Sequence, residues 1–435
     1  MRLPWSRLLR ALVLTCTMLA PAAAARAASA PLTYAGRAPD APWRRAAEER
    51  IRHIRRAPLR VRVVDGQGRP VAGAEVHVQQ QRHAFGFGNI LNPRTFELEG
   101  DDGLTYRRIF AEHFNKTTFE SGFRWHNWFL PARQGTLDEH TALLDRMIRF
   151  CEARDVGIRG HYLAWAPVNL QRRKPTDYRK HPDRLWPQLQ AHIDRMLAFT
   201  DGRLAEWDAI NHIIGWNKTM ASVTGSDAIY ARIIRHARAR TDTPLWVNEG
   251  RILPGGDRAD AYERVIRYLV DHDAAPDGIG FMGHFQEDSL RPIRELWDVY
   301  EQFARFGLPL QLTEFDVSTK DETLQADYLR DVMTLTFSHP AFSGIVMWGF
   351  WEGRHWRPDA ALWRKDWSIK PVGTMWKRLV FDTWWTDERQ TTGPDGTCEV
   401  PAFLGTHAVT VTRDGRTVKA KVTVDKTGGR ATVRF

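Results

Sequence analysis

The stretch Leu310-Gln-Leu-Thr-Glu-Phe-Asp-Val317 carries the pattern that decides the fold of this chain. Its apolar residues predict a buried strand, and simple alternation places Leu312, Glu314 and Asp316 on one face of that strand. A helical pattern that ends at Gly307 precedes the strand; its apolar residues are Leu296, Trp297, Tyr300 and Phe303. A helix followed by a buried strand is one unit of an α/β fold.

Seven other apolar runs resemble this strand, which makes eight in the chain. They recur about every 37 residues between positions 85 and 346, with amphipathic helical patterns between them. Eight such units predict a (β/α)8 TIM barrel, whose core typically takes about 250 residues. The alternative is a doubly wound open sheet, but the glycine-rich phosphate turn expected after its first strand is missing from the sequence. The predicted strands end near Phe87, Phe119, Gly160, Asn211, Asn248, Gly283, Phe315 and Phe350.

Short alternating segments near both ends of the chain predict antiparallel β structure outside the barrel. Residues 59–64 and 72–78, with turn residues between them, predict a hairpin with one buried face. Residues 409–411, 418–424 and 431–435 repeat the pattern, and we expect the two ends to form one small β layer. The predicted organisation is a signal peptide at 1–27, a linker or helical segment at 28–57, the hairpin at 58–82, the barrel at 83–385 and a C-terminal β segment at 386–435.

The beginning of the chain resembles a secretory signal. Arg2, Arg7 and Arg10 precede or flank an apolar run, and Ala25-Arg26-Ala27 forms a small-x-small cleavage site. We therefore expect a secreted or periplasmic protein. Cleavage after position 27 removes four arginines and no acidic residues, so the formal net charge falls from +10 to +6. The basic residues are scattered, which argues against a nucleic-acid partner.

Composition narrows the class of protein further. Hydrophobic residues make up 43% of the 435 residues, enough for a full core, and beyond position 30 the sequence predicts no membrane span. Eighteen tryptophans exceed what such a core requires, and their flat faces suit stacking on sugars. We expect a polysaccharide or oligosaccharide ligand and no cofactor. Cys151 and Cys398 do not form a disulfide framework, and no oligomeric state is predicted.

Polar residues stand at the carboxyl ends of the predicted strands, where TIM-barrel enzymes place their reactive groups. A carboxylate that ends an apolar strand is unfavourable to bury unless it is paired, so Glu314 is the strongest candidate for a nucleophile or a base. The other strand-end candidates are Glu120, His161, Asn211, His212, Asn248, Glu249, His284 and Trp348.

These residues lie in motifs that resemble glycoside hydrolase family 10, the xylanase family, over roughly residues 80 to 385. The motifs are Thr118-Phe-Glu-Ser-Gly-Phe-Arg-Trp125, Arg159-Gly-His-Tyr-Leu-Ala-Trp165, Gly278-Ile-Gly-Phe-Met-Gly-His284, Leu312-Thr-Glu-Phe-Asp316 and Gly344-Ile-Val-Met-Trp-Gly-Phe-Trp-Glu352 with Arg354-His-Trp356 after it. The resemblance implies a TIM barrel in which Glu314 attacks the anomeric carbon. The substrate-binding residues that we expect are Glu120, Arg124, Trp125, His161, Trp165, Asn211, Glu249, His284, Trp348 and Trp356.

The sequence departs from the family at one decisive position. The family's fourth strand ends Trp-Asp-x-x-Asn-Glu, and that glutamate is the acid/base, whereas this chain reads Trp207-Asp-Ala-Ile-Asn-His212. Imidazole gives up and takes up a proton near neutral pH, so His212 remains a candidate acid/base. The family's lysine on the second-strand motif is Arg124 here, and Met282 replaces a glutamine. The sugar that the chain accepts is therefore not specified by the resemblance.

Three functions are compatible with these residues. The first is retaining hydrolysis of a β-1,4-linked, xylan-like polysaccharide by Glu314 with His212, or with Glu249 as a substitute acid. The second is a weakly active or inactive barrel that binds oligosaccharide through its tryptophans. The third is metal-dependent hydrolysis, because the three strand-end histidines and Glu314 could converge on zinc or iron. No His-x-His or His-Glu-x-x-His spacing supports a metal site, and we predict none.

Overall fold

Eight parallel strands close into a barrel in the computed structural model of the chain. The structure describes residues 33–128, 135–165, 178, 180–215, 219–256 and 258–435. The barrel strands lie side by side in chain order, and the last strand pairs with the first to complete the ring. The predicted TIM barrel is thereby confirmed. The predicted signal peptide at 1–27 lies outside the described residues.

Helices alternate with the barrel strands along the chain. The barrel strands are β3 (Gly86–Leu91), β4 (Lys116–Phe119), β5 (Gly157–Trp165), β6 (Glu206–Asn211), β7 (Leu245–Glu249), β8 (Gly278–Gln286), β9 (Leu310–Ser318) and β10 (Phe342–Met347). The α-helices of the described residues are Pro42–Ile54, Pro93–Phe96, Gly100–His113, Leu137–Glu152, Leu185–Thr200, Met220–Thr224, Ala228–Arg238, Ala259–Asp271, Ile293–Ala304, Glu322–Ser338 and Pro371–Lys377.

Strand β3 shows why some predicted strand ends were wrong. Its end was expected near Phe87, but the strand begins at Gly86 and continues to Leu91. Asn89 interrupts the apolar run, so the hydrophobic pattern did not predict the residues of the strand that lie beyond Phe87. In the structure Asn89 is fully buried, and its Oδ1 accepts the Gly349 N–H at 2.9 Å.

A β-bulge in β9 corrects the predicted face of Leu312. Phe281 pairs with Leu312 while the next residue, Met282, pairs with Glu314, so one residue of β9 is extra at this point. The strand on the other side shows the same step, because Ile345 and Met347 pair with Leu312 and Phe315. A bulge reverses the alternation of side chains. Glu314 and Asp316 therefore share a face, and Leu312 belongs to the opposite one.

The predicted N-terminal hairpin is present only next to its turn, where Val64 and Pro70 form an antiparallel bridge, and its two strands then separate into different sheets. Two N-terminal strands, β1 (Arg56–Val64) and β2 (Glu75–His83), pair with C-terminal strands. These are β11 (Asp387–Thr391), β12 (Thr397–Phe403), β13 (Gly405–Arg413), β14 (Arg416–Val424) and β15 (Gly429–Arg434). Strand β1 lies in a sheet of order β12-β1-β15, and β2 lies in a second sheet of order β11-β2-β13-β14.

The two terminal sheets share one apolar core, which explains why β1 and β2 separate. Leu59, Val61 and Val63 from β1 are fully buried in the same cluster as Val76 and Val78 from β2. Alternating apolar residues fit a hairpin and a pair of facing sheets equally well. The C-terminal strands supply the hydrogen-bonding partners, which confirms the predicted β structure built from both ends of the chain, and these strands form two facing sheets, where one layer was expected.

Acid should destabilise the fold through a histidine buried beside the terminal sheets. His83 Nδ1 accepts a hydrogen bond from Gln80 at 3.1 Å, and its Nε2–H donates to the Val380 carbonyl at 2.9 Å, so the neutral ring is fully bonded. Burial lowers the pKa of His83 to about 4, against about 6.5 in the unfolded chain. Between these pH values only the unfolded chain holds the proton, so stability is lost as pH falls, by roughly 3 kcal/mol at pH 4.

Denaturant unfolding between pH 7 and pH 4 measures this loss. We expect the free energy of unfolding of H83Q to depend less on pH than that of the wild type. H53Q is the matched control, because the side chain of His53 is 72% exposed. Equal pH slopes for the wild type and H83Q would contradict the prediction.

Candidate active site

A cavity of about 910 Å³ opens at the carboxyl ends of the barrel strands. This is the place where TIM barrels position reactive groups. The predicted residues that line it are Glu120, Arg124, His161, Trp165, Asn211, His212, His284, Glu314, Trp348 and Trp356. The barrel therefore brings these predicted residues, which come from six of its strands and the loops after them, to one pocket.

Glu314 is held by a donor at each carboxylate oxygen. Its side chain is nearly buried; Oε1 accepts a hydrogen bond from Asn248 Nδ2 at 3.2 Å, and Oε2 lies 3.1 Å from His284 Nε2. His161 Nε2 is 3.8 Å from Oε1. Burial by itself raises the pKa of Glu314, but the hydrogen bond from His284 and the nearby imidazoles outweigh it and hold the pKa below its usual range. Glu314 is thus an oriented, ionised carboxylate.

Aspartates orient the two imidazoles that face Glu314. Asp316 Oδ2 lies 2.9 Å from His284 Nδ1, and Asp208 Oδ2 lies 2.7 Å from His161 Nδ1. Burial disfavours the charged form of His284, yet the carboxylates of Asp316 and Glu314 raise the pKa of His284 to about 9. His284 is therefore an imidazolium at neutral pH and stabilises both carboxylates.

A buried group of charges beneath the site supports His161. The Arg159 guanidinium pairs with Asp208 and with Glu206, and Lys116 Nζ lies 2.8 Å from Glu206 Oε1. Burial raises the pKa of Asp208, but Arg159 and His161 outweigh it and hold the pKa low. Asp208 was not among the predicted site residues. An acid within the apolar run of β6 is the same signal that singled out Glu314.

His212 occupies the turn that directly follows β6. Its φ is 54°, and its backbone N–H donates to the Asn248 carbonyl at 2.9 Å, which fixes the residue against β7. Its Nδ1 lies 3.3 Å from Glu249 Oε1. Glu249 is 1% exposed and accepts the N–H groups of Ile214 and Gly250, each at 2.8 Å. The Glu249 carboxylate thus contacts the His212 imidazole without itself lining the cavity.

Two predicted substrate-binding residues do not line the cavity. Glu249 lies behind His212, where it cannot serve as the substitute acid that we considered. Trp125 is buried against Tyr178 and His192, with ring centroids 5.9 Å and 5.6 Å away. Trp125 therefore supports the wall of the site. The direction of each side chain depends on tertiary packing. A sequence motif does not specify that packing.

Three tryptophans form the aromatic surface of the cavity. Trp348 packs edge-on against His161, with ring centroids 5.4 Å apart. Trp356 is 50% exposed, and its Nε1 donates to Asp316 Oδ2 at 2.8 Å. Trp165 Nε1 is buried and has no hydrogen-bond partner among the described residues. These rings offer both stacking faces and a donor to a sugar.

Several residues that line the cavity were not among the predicted site residues. They come mostly from loops after the strands, whose course depends on the packed barrel. They are Tyr162, Gly250, Arg251, Pro254, Gly255, Met282, Gln286, Asp288, Ser289 and Arg357. Tyr162 and Met282 lie inside quoted motifs and could have been found there.

The metal alternative gains no support from the positions of these side chains. Within the described residues, no group of three or more histidine, cysteine, aspartate or glutamate side chains has an arrangement that would hold a metal ion. The imidazoles of His161 and His284 are instead bonded to aspartates. In the same part of the chain, no helix has the length and apolarity needed to cross a membrane.

Comparison with known proteins gives a match over most of the chain. The family model described as glycosyl hydrolase family 10 matches residues 77–377. The anti-sigma-I factor RsgI6 of Acetivibrio thermocellus is 28% identical over 376 residues, covering 86% of this chain and 47% of that protein. Endo-1,4-beta-xylanase 1 of Arabidopsis thaliana is 26% identical over 377 residues, covering 83% of this chain and 38% of that protein. The chain thus spans half or less of the length of these two curated relatives.

Solved structures share the barrel. Xylanase 10B from Thermotoga petrophila in complex with xylobiose has a TM-score of 0.57 at 20% identity, covering 68% of this chain and 94% of that chain. A GH10 endoxylanase from a sugarcane soil metagenome has a TM-score of 0.58 at 20% identity, covering 68% of this chain and 96% of that chain. The likeness at this level of identity concerns the fold.

Proposed function

The chain belongs to glycosyl hydrolase family 10, and from that membership we propose that it is a glycoside hydrolase that cleaves a β-1,4-linked, xylan-like polysaccharide with retention of configuration. From the signal-like pattern at residues 2–27 we propose that it is exported. The observation that carries the proposal is the state of Glu314. A carboxylate that is ionised, nearly buried and held at both oxygens in a sugar-sized cavity is poised to attack an anomeric carbon.

The first step forms a glycosyl ester on Glu314. A carboxylate oxygen of Glu314 bonds to the anomeric carbon while the glycosidic C–O bond breaks. We assign the proton that the leaving oxygen requires to His212. The His212 ring lines the cavity, and its Nδ1 lies 3.3 Å from Glu249 Oε1, so we assign the proton transfer to this imidazole. In the second step the neutral imidazole takes a proton from water, and that water releases the sugar from Glu314.

The tryptophans and the xylanase relatives support the substrate class. Trp165, Trp348 and Trp356 line the cavity that contains Glu314 and His212. Several relatives are named endo-1,4-beta-xylanases, and one solved neighbour holds xylobiose. A β-1,4-linked pentose chain is therefore the first substrate to test.

A polysaccharide-binding barrel without turnover is the second candidate. It is favoured by the replacement of the family's acid/base glutamate with His212, which stands against Glu249 instead. It is also favoured by a relative over 86% of the chain that is named as an anti-sigma factor and not as a hydrolase. In this function the same cavity binds a glycan without cleaving it.

Incubation of the purified protein with xylan distinguishes the two candidates. We expect new reducing ends, and proton NMR of the first products should show the β anomer, because a double displacement retains configuration. Products that first appear as the α anomer would contradict the role of Glu314 as nucleophile. Binding of xylan without any new reducing ends would establish the second candidate and overturn the first.

A further inference from the structure

Arg124 is a cation in the wall of the cavity, and no carboxylate of the described residues forms an ion pair with it. Arg124 lines the cavity and is half-buried, and its Nε is buried without a hydrogen-bond partner among the described residues. Arg357, in the same cavity, differs: its guanidinium lies 3.4 Å from Asp316 Oδ1 and 4.2 Å from the centre of the Trp356 ring. Arg124 is therefore the lining arginine that combines partial burial with an unmatched donor.

The backbone around Arg124 keeps its side chain at the cavity. Its N–H donates to the Ser121 carbonyl at 3.3 Å, in a turn where Ser121 has a φ of 65°. The next residue, Trp125, is buried by ring stacking. The charge of Arg124 also acts on Tyr162, another residue that lines the cavity. Burial raises the pKa of the Tyr162 phenol, and the positive charge of Arg124 reduces that rise. Arg124 is thus rooted in a fixed turn and directed at the site.

The carboxylate nearest in sequence does not neutralise Arg124. Glu120 Oε2 accepts a hydrogen bond from Asn92 Nδ2 at 2.6 Å, and no ion pair joins Glu120 to Arg124 in the described part of the chain. A partly desolvated cation is unfavourable unless an anion or several acceptors complete it. The planar guanidinium matches a carboxylate in a bidentate geometry that lysine, the residue expected from the family motif, cannot form.

We propose that Arg124 binds the carboxylate of a uronic acid substituent, so that the substrate is an acidic, glucuronate-bearing xylan. This inference takes the xylan backbone of the substrate from the proposed function. The negative charge of the substituent is inferred from Arg124. A carboxylate in the cavity would supply an acceptor for the charge of Arg124 and would pair with its two terminal nitrogens, since the Nε is buried beneath the cavity surface. The specificity for charge is then separate from the chemistry at Glu314.

Binding and turnover test the inference separately. The probes are glucuronate-bearing xylo-oligosaccharides and the same preparation after chemical reduction of its carboxyl groups to alcohols. Binding is measured by calorimetry in the E314Q background, which removes turnover. We expect the acidic probe to bind roughly tenfold more tightly than the reduced probe, since hydrogen bonds to charged groups are the strong ones.

Variants at position 124 make the assignment specific. R124Q should bind both probes equally, and R124K should retain only part of the preference because it lacks the bidentate fork. R251Q is the matched control, since Arg251 lines the same cavity but is exposed. Equal binding of the two probes by the parent, a loss of preference in R251Q as large as in R124Q, or no binding of either probe would each overturn the inference. Hydrolysis of the reduced polymer by the wild type shows separately that the proposed function holds.

Discussion

Replacement of Glu314 by alanine should lower kcat on xylan by at least about 10⁴-fold, since removal of a nucleophile from an assembled site removes most of its catalysis. The carboxylate is held by Asn248 and His284 in a nearly buried position, and a water molecule there cannot form a glycosyl ester. The measurement is the steady-state rate of reducing-end release.

Two controls show that a loss of rate in E314A is chemical. E399A removes an exposed carboxylate from β12, a strand of the terminal sheets that contributes no residue to the cavity, and should change kcat less than twofold. Sodium azide should partly restore turnover of an activated aryl xyloside by E314A, with an α-glycosyl azide as product, because a small anion fits the space left by the side chain. Unchanged activity in a folded E314A protein would refute the nucleophile assignment.

Replacement of His212 by alanine should have the second-largest effect, and its size should depend on the leaving group. For xylan, whose leaving alkoxide needs a proton, we expect kcat to fall by about 10²- to 10⁴-fold. For an aryl glycoside with an acidic phenol, formation of the glycosyl ester should change little, because that leaving group departs without a proton. Pre-steady-state release of the phenol measures this step.

The companion variants E249Q and H212E separate positioning from proton transfer. Glu249 does not line the cavity, so E249Q should lower kcat about tenfold and leave KM within twofold, as expected for a group that orients His212. H212E places the family's own residue at this position. A sharp gain in xylan hydrolysis by H212E, together with no effect of H212A, would show that His212 is not the acid/base.

The order of strands and helices could be predicted from the sequence because it is encoded locally. Apolar runs and amphipathic helical patterns recur along the chain, and each element buries its apolar residues almost independently of its neighbours' identity. Polar side chains at strand ends, such as His161, His284 and Glu314, were predicted for the same reason. A polar residue within an apolar run can be recognised from the sequence alone. The barrel topology then brings the carboxyl ends of the strands together.

The direction of individual side chains was decided by the tertiary structure. The bulge in β9 reversed Leu312 relative to Glu314, the stacking of Trp125 on its neighbours removed it from the cavity, and Glu249 turned to hold His212. The separation of β1 and β2 into facing sheets depended on strands more than 300 residues away along the chain. A hydrophobic period specifies that a residue is buried but not against which partner, because facing sheets, hairpins and bulged strands satisfy the same local pattern.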